Sequence, residues 1–534
     1  MITPNSKFII LKSPIELDNL NQLTFANATA QFNYFNSLTK REYDEVSFVR
    51  KDNIVVVETD EDFTYDDLLT YNYCMYQNTS YGDKWFYAFI EDCNYLNDGA
   101  CELKIKTDVY QTWQFDITWK QTFIEREHIA KNDDIAGVNV VPENLETGEY
   151  IDSSIIENNE LTDICPVISI NYDPTNDTDS GTYRDNIYQA YGFYIVKGVL
   201  ASSFSFADQV NAISSLMKHL ANKGRSESVL SLFMAPKKLV NWQASGISWT
   251  NVSSDGASLS MRIAGTDIIG EPFSDLTTTK PTSIDGYTPI NQKVLTFPYC
   301  YLTLSNNSGN VANYYYEDFS NNNITFNIKG TITPSCSIKA IPTNYKGLSI
   351  NYSNSLNLGK YPICSWNSDV YINWLTQNAI NIPVQIIGGT ISTLTGLKTK
   401  SAVGTASGIL AIADSLGKIY EHSLNPIQTS GDTNSGDVNV KLNKNTFTLI
   451  KRNIKQQFAR KIDSYFNMYG YATNELKLPN LNNRSNWNFV KTINCNILGD
   501  IPQKDIEEIK TMFNNGLTLW HNPSTFLDYS QSNN

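Results

Sequence analysis

Between Val384 and Ala413 the chain becomes apolar, small and rich in glycine, and this stretch limits the possible folds more than any other feature. The run VQIIGGTISTLTGL carries no charge, and after Lys398 and Lys400 the run SAVGTASGILAIA carries none either. A protein in water must cover such a surface. Either the stretch threads a core as a buried hairpin or helix, which is the common case, or it is covered in one state and passed to lipid in another. Three features favour the second reading. Gly388, Gly389, Gly396, Gly404 and Gly408 are too many for a rigid core helix, since each costs about 1 kcal/mol against alanine. Polar linkers such as Ser430 to Asn439 flank the stretch, and Lys398 and Lys400 stand midway, where the tip of a hairpin would be.

Length decides how such runs would meet a bilayer. Coiled into helices they reach only about 20 Å, short of a hydrocarbon core of roughly 30 Å. As tilted strands they suffice, because about 9–11 residues then cross. A lone hairpin leaves its backbone edges unpaired in lipid, so a pore must close a ring from several copies. The side chains expected to form this membrane-active loop are Val384, Ile386, Ile387, Gly388, Gly389, Ile391, Leu394, Leu397, Val403, Ile409, Leu410, Ile412, Leu416 and Ile419.

A chain of 534 residues exceeds what one core organises, so several domains are expected. Aromatics at 12%, with 31 tyrosines, against only 18% charged residues point to a mainly β protein of short strands and polar loops. The formal net charge of -14 argues against a protein that grips nucleic acid. It suits a conduit, because an acidic lining repels phosphate and lets DNA slide.

Asp52 to Thr59 (DNIVVVET) and Lys84 to Asp92 (KWFYAFIED) read as strands, as do the first 130 residues generally. The second of them crosses an Asn97-Asp98-Gly99 turn into CELKIKTDV, where Leu103 and Ile105 alternate with lysines. That pattern predicts a hairpin with one buried face. The stretch from Val140 to Asn186 is poor in apolar residues and marks a domain boundary. Helical spacing of Val210, Ile213, Leu216, Met217 and Leu220 predicts a helix over about 207–223. From Val229 to Asn373 short strands alternate with turn residues, as in sandwich or barrel domains. The stripe Ile450, Ile454, Phe458, Ile462 and Tyr465 predicts a second helix over 449–466, and Pro502 with Asn515-Gly516 brackets a third over 502–515.

Enzyme chemistry finds little purchase. Four histidines (His128, His219, His422, His521) show no metal-ligand spacing, and eight scattered cysteines form no C-x-x-C. They read as buried free thiols, although Cys93 and Cys101 flank a turn closely enough for one bridge. A phosphate-binding loop fails at Gly417-Lys418 because Ile412 stands where glycine is required, and GTASG lacks the nucleophilic serine. The oxygen-rich DPTNDTDSG lacks the order of a calcium loop, and pairs such as Glu125 with Glu127 or Glu507 with Glu508 are common in any acidic protein. No catalysis, metal or cofactor is expected. The four apolar residues Phe8 to Leu11 are too few for a signal sequence, which places synthesis and folding in the cytoplasm.

Blocks at both ends carry a family likeness. YGDKWFYAFIEDCNYL (Tyr81 to Leu96), KTDVYQTWQFDI (Lys106 to Ile117) and FIEREH (Phe123 to His128) resemble the N-terminal part of tail knob proteins from small protein-primed short-tailed phages of Gram-positive bacteria. DSYFNMYGYATNELKLPN (Asp463 to Asn480), NFVKT (Asn488 to Thr492) and MFNNGLTLWH (Met512 to His521) resemble their closing portion. This resemblance implies a virion protein at the tail tip: a homohexameric, mainly β tube with a few helices, whose barrel or sandwich domains are similar to hub proteins of longer-tailed phages. It further implies six hydrophobic loops that plug the lumen and then form a channel for DNA through the host cytoplasmic membrane. Other tail proteins would be its neighbours, and Val384 to Leu424 occupies the place of the loop.

Combined with the pattern above, the resemblance divides the chain into a β-rich N-terminal tube part (1–140), middle β domains (141–375), the loop and its linker (380–440) and a C-terminal part completing the tube (441–534). Two other functions remain open from the sequence. One is an adsorption protein whose Tyr- and Asn-rich domains between Ile187 and Asn373 grip cell-wall glycan, and the other is a peptidoglycan hydrolase.

Overall fold

The computed structural model describes residues 6–162 apart from 47, 50–52, 80, 81, 83 and 131–137; 273–358 apart from 332–336; and 445–534. Between these it describes 164–170, 183–184, 187–188, 192–198, 229–236, 238, 250–254, 257–264 and 363–365. The chain is mostly β with few helices, and it divides into two compact units, both discontinuous. One comprises Met1–Glu149, Thr282–Tyr299 and Ile454–Asn534; the other comprises Tyr150–Pro281 and Cys300–Asn453. The first break, after Glu149, lies in the apolar-poor stretch from Val140 to Asn186.

In the first unit a seven-stranded sheet runs in the order Lys40–Asp44, Ser6–Leu11, Tyr73–Asn78, Trp85–Asn97, Ala100–Thr107, Ile54–Glu58, Phe48–Val49. Successive residues of a strand point to opposite faces, and here both faces are covered. Phe8 and Ile10 join Val55, Val57, Leu103 and Ile105 in one core. Ile9 and Leu11 turn the other way, into a core with Phe35, Tyr73, Tyr87 and the distant Trp487 and Trp520. The predicted hairpin forms at the Asp98-Gly99 turn. Tyr95 stands opposite Cys101 while Cys93 faces Leu103, and both thiols are free.

A second sheet orders Asn21–Leu23, Leu517–Trp520, Trp487–Ile493, Thr122–Glu127 and Tyr471–Lys477. Its strands come from both ends of the chain, so several of the blocks that carry the family likeness meet in it. Helix Gln503–Asn515 buries Ile506, Ile509, Met512 and Phe513 against Tyr110 and Trp113, and the Trp113 Nε1–H donates to Asp505 Oδ2 at 2.8 Å. Pro502 stands just before its first turn and Gly516 closes it at φ 99°, close to the predicted limits.

Two readings need correction. The predicted helix over 449–466 is strand Thr448–Ile454 followed by helix Gln456–Tyr469. Residues Thr448 to Asn453 pair antiparallel with Cys300–Ser305, and that pairing overrides an apolar spacing that runs through both elements. Among the first 130 residues, Ala28–Ser37, Tyr65–Leu68 and Val109–Trp113 are helices rather than strands; Asn27 caps the first by accepting the Ala30 N–H at 2.8 Å. The predicted helix 207–223 lies outside the described residues.

The second unit holds three larger sheets. A six-stranded one runs Thr250–Ser254, Ala257–Ala264, Gly192–Gly198, Ile164–Ile170, Val229–Pro236, Ile363–Ser365. Leu276–Thr279, Asn323–Thr331, Ser337–Tyr345 and Leu348–Ile350 form the second, with Leu356–Asn357 paired to its third strand. Tyr150–Glu157, Thr448–Ile454, Cys300–Ser305 and Val311–Tyr314 form the third.

Candidate functional site

All fourteen residues of the expected membrane-active loop, from Val384 to Ile419, lie outside the described residues. What the structure gives is the two feet of the segment that contains them. On the entering side, strand Ile363–Ser365 pairs at the sheet edge with Ser231, Leu232 and Phe233. On the leaving side, side-chain hydrogen bonds hold the chain. The Thr446 hydroxyl donates to the Asn158 carbonyl at 2.6 Å, and Asn307 Nδ2 donates to the Thr446 carbonyl at 2.9 Å. Phe447 and Leu449 are fully buried around the start of strand Thr448–Ile454, which is flanked on both sides within its sheet. Both feet belong to the second unit. Among the described residues no helix is long and apolar enough to cross a membrane.

The residues weighed for catalysis are occupied structurally. Glu125 pairs with Lys491 at 2.8 Å, and buried Glu127 pairs with Lys477 and accepts from the Asn480 backbone and side chain. Glu507 engages Gln503 and Lys510, while Glu508 faces Lys106. Burial pushes the thiols of Cys93 and Cys495 up to about 11 and that of Cys300 to about 12, away from nucleophilic use. No group of three potential metal ligands occurs among the described residues. His219, His422 and the loop Asp173 to Gly181 lie outside them.

His128 is a structural histidine. Its Nδ1 accepts the Phe489 N–H at 2.8 Å, which leaves Nε2–H to donate to the Asn467 carbonyl at 3.1 Å. Burial, and then the nearby Arg484 charge, push its pKa down to about 3. The unfolded chain takes up this proton near pH 6.5 and the folded one does not. Stability is therefore lost as pH falls below about 6.5, by at most about 1.4 kcal/mol per pH unit from this group. His521, pushed down to about 4 by burial, adds in the same direction. Asp108, pushed up to about 6 by burial, works against both. Urea titrations of the wild type between pH 7 and 5 are expected to show this loss, and the slope should flatten in His128→Asn.

The first unit holds a buried polar network that has no signal in the sequence. The Asp463 carboxylate, on helix Gln456–Tyr469, gathers the returning segment 282–299: the Tyr287 hydroxyl donates at 2.6 Å, and the backbone N–H groups of Ile290 and Asn291 donate at 2.7 and 2.9 Å. Asn291 Nδ2 adds a fourth bond at 2.7 Å. Beside it, Glu143 accepts the Ala472 N–H at 2.8 Å and is paired with both Lys293 and Arg126. Arg126 Nη1 donates to the Gly470 carbonyl at 2.6 Å, and its guanidinium lies over the Tyr465 ring. Lys293 lies over the rings of Phe466 and Tyr471. Its side chain is only 4% exposed and that of Glu143 1%.

Comparison with known proteins places the chain in a family. The model for the C-terminal domain of tail knob protein gp9 of Bacillus phage phi29 matches residues 265–534, and a model for the N-terminus of the caudoviral major tail protein matches residues 4–120. The chain is 25% identical to tail knob protein gp9 of Bacillus phage PZA, with 96% of each chain covered, and 24% identical to that of phage phi29, again with 96% of each covered. Its fold is similar to the tail knob protein gp12 of bacteriophage C1, with a TM-score of 0.63 at 18% identity and 98% of each chain covered. A family model spanning half the chain, and relatives aligned over nearly all of it, lead to one conclusion: the chain belongs to the tail knob protein family of phages.

Proposed function

We propose that this chain is a structural subunit of the phage tail tip, that six copies close into a tube through which DNA passes, and that the segment Val384 to Leu424 is its membrane-active part. The observation that carries the reading is the position of this apolar, glycine-rich segment, with its two uncharged runs, between two feet fixed on strands, Ile363–Ser365 and Thr448–Ile454, in a chain of the tail knob family. Strands that hold both ends let the segment between them change surroundings without dismantling the sheets. Transfer of its aliphatic side chains from water to lipid is favoured by about 0.8 kcal/mol per methylene. Copies acting together make that transfer hard to reverse. The neighbouring proteins would be other tail components, and the net charge of -14 suits a passage that does not hold DNA.

Removing residues 384–424 tests this. The shortened protein is expected to assemble into the same rings by electron microscopy and to lose dye release from liposomes. Undiminished release would end the proposed role of the segment. Retention on purified cell walls without dye release from either protein would favour the adsorption reading instead.

A further inference from the structure

The segment 282–299 belongs to the first unit, yet the chain on both sides of it, at Pro281 and at Cys300, belongs to the second. It therefore touches down on the first unit between two excursions. Two carboxylates hold it there, Asp463 at Tyr287, Ile290 and Asn291, and Glu143 at Lys293. The second contact has unbalanced charge. Two cations, Arg126 and Lys293, pair with the one Glu143 carboxylate in a buried site, so with Lys293 protonated and Glu143 ionised these three groups carry one positive charge in excess. An arginine does not release a proton in a protein, whereas a lysine does so readily when buried.

We propose that Arg126, Glu143 and Lys293 form a proton-controlled clasp on residues 282–299, holding that segment more tightly to the first unit once Lys293 has given up its proton. The neutral amine keeps its hydrogens for Glu143, and the carboxylate is then balanced by Arg126 alone. Other ionisable groups around the cluster are Glu125 beside Arg126, Tyr299 at the end of the segment, Asp463 and Tyr465 on the neighbouring helix, and Tyr471 on the next strand. Burial, and then the Arg126 charge, bring Lys293 from 10.5 down to about 7. Once released into water it would regain its ordinary affinity. Between about pH 7 and 10.5 the docked segment thus holds fewer protons than the undocked one, and docking strengthens as pH rises. Below this window both states are protonated and docking is weakest.

Hydrogen exchange of the full chain, read by mass spectrometry on peptides covering 282–299 and corrected for intrinsic rates, tests the clasp between pH 6.5 and 9. Protection in the wild type is expected to rise with pH, by up to about tenfold per unit for one linked proton. Lys293→Met should be flat and high, since Arg126 still balances Glu143. Lys293→Arg, charged throughout, should be flat and low. A level wild-type profile, or a Lys293→Met profile that keeps the wild-type rise, overturns the proposal. If neither variant folds, the wild-type profile alone decides. The outcome does not depend on whether the segment 384–424 acts on membranes.

Discussion

Gly470→Ala is expected to abolish soluble expression. Gly470 ends helix Gln456–Tyr469 at φ 65° and ψ -153°, a conformation that L side chains rarely adopt. A Cβ there would stand 2.1 Å from the Glu127 carbonyl oxygen and 2.5 Å from the His128 nitrogen, both backbone atoms of the neighbouring strand region. Neither can retreat easily. Glu127 pairs with Tyr471 and Val490 in the sheet, and the His128 N–H donates to the Phe489 carbonyl at 3.1 Å. Left-handed strain and a backbone clash together exceed about 4 kcal/mol, a large part of the stability of an ordinary domain. Soluble yield and the melting temperature of any recovered protein measure the effect. A variant that melts within a few degrees of the wild type would show that the strand can move aside.

Asp463→Ala is expected to be the next most damaging change. It removes one carboxylate and leaves the buried Asn291 N–H and the part-buried Tyr287 hydroxyl and Ile290 N–H without their acceptor, while the Asn291 amide keeps only its bond to the Asp463 carbonyl at 3.1 Å. An abandoned buried donor costs about 1–3 kcal/mol, and local relaxation recovers part of the total, so a loss of about 3–5 kcal/mol in urea denaturation is expected. The location of the damage is also specified. Exchange should accelerate first in 282–299 and in helix Gln456–Tyr469, while the seven-stranded sheet around Phe8 and Val57 keeps its protection. A uniform loss across both would contradict the local role of Asp463.

The sequence was legible where one local signal had no competitor. The hairpin Trp85–Asn97 with Ala100–Thr107 announced itself by a turn between alternating strands, and helix Gln503–Asn515 by its proline and glycine limits. The helix Ala28–Ser37 was obscure because only Gln31 and Phe35 along it are buried, too few to mark a stripe. The stripe at Ile450 and Ile454 misled because its spacing continues smoothly into helix Gln456–Tyr469, and only the partner strand Cys300–Ser305, far away in sequence, ends the ambiguity. The network around Glu143 and Asp463 had no sequence signal. Arg126, Glu143, Lys293 and Asp463 are charged residues scattered along the chain, and most such residues are solvated. The expected loop was read from its composition, its flanking linkers and the family likeness, and the described residues bear on it only through the strands at its two feet.

The second sheet of the first unit has a consequence for how the protein is made. Its strand Thr122–Glu127 must wait for Tyr471–Lys477 and Trp487–Ile493 to leave the ribosome, and Phe35 waits likewise for Trp487 and Trp520. For most of its synthesis the nascent chain therefore carries an open β edge and an uncovered aromatic cluster, both prone to aggregation. Premature termination anywhere before Trp520 should yield insoluble fragments rather than defective particles, which confines assembly to chains translated through that point.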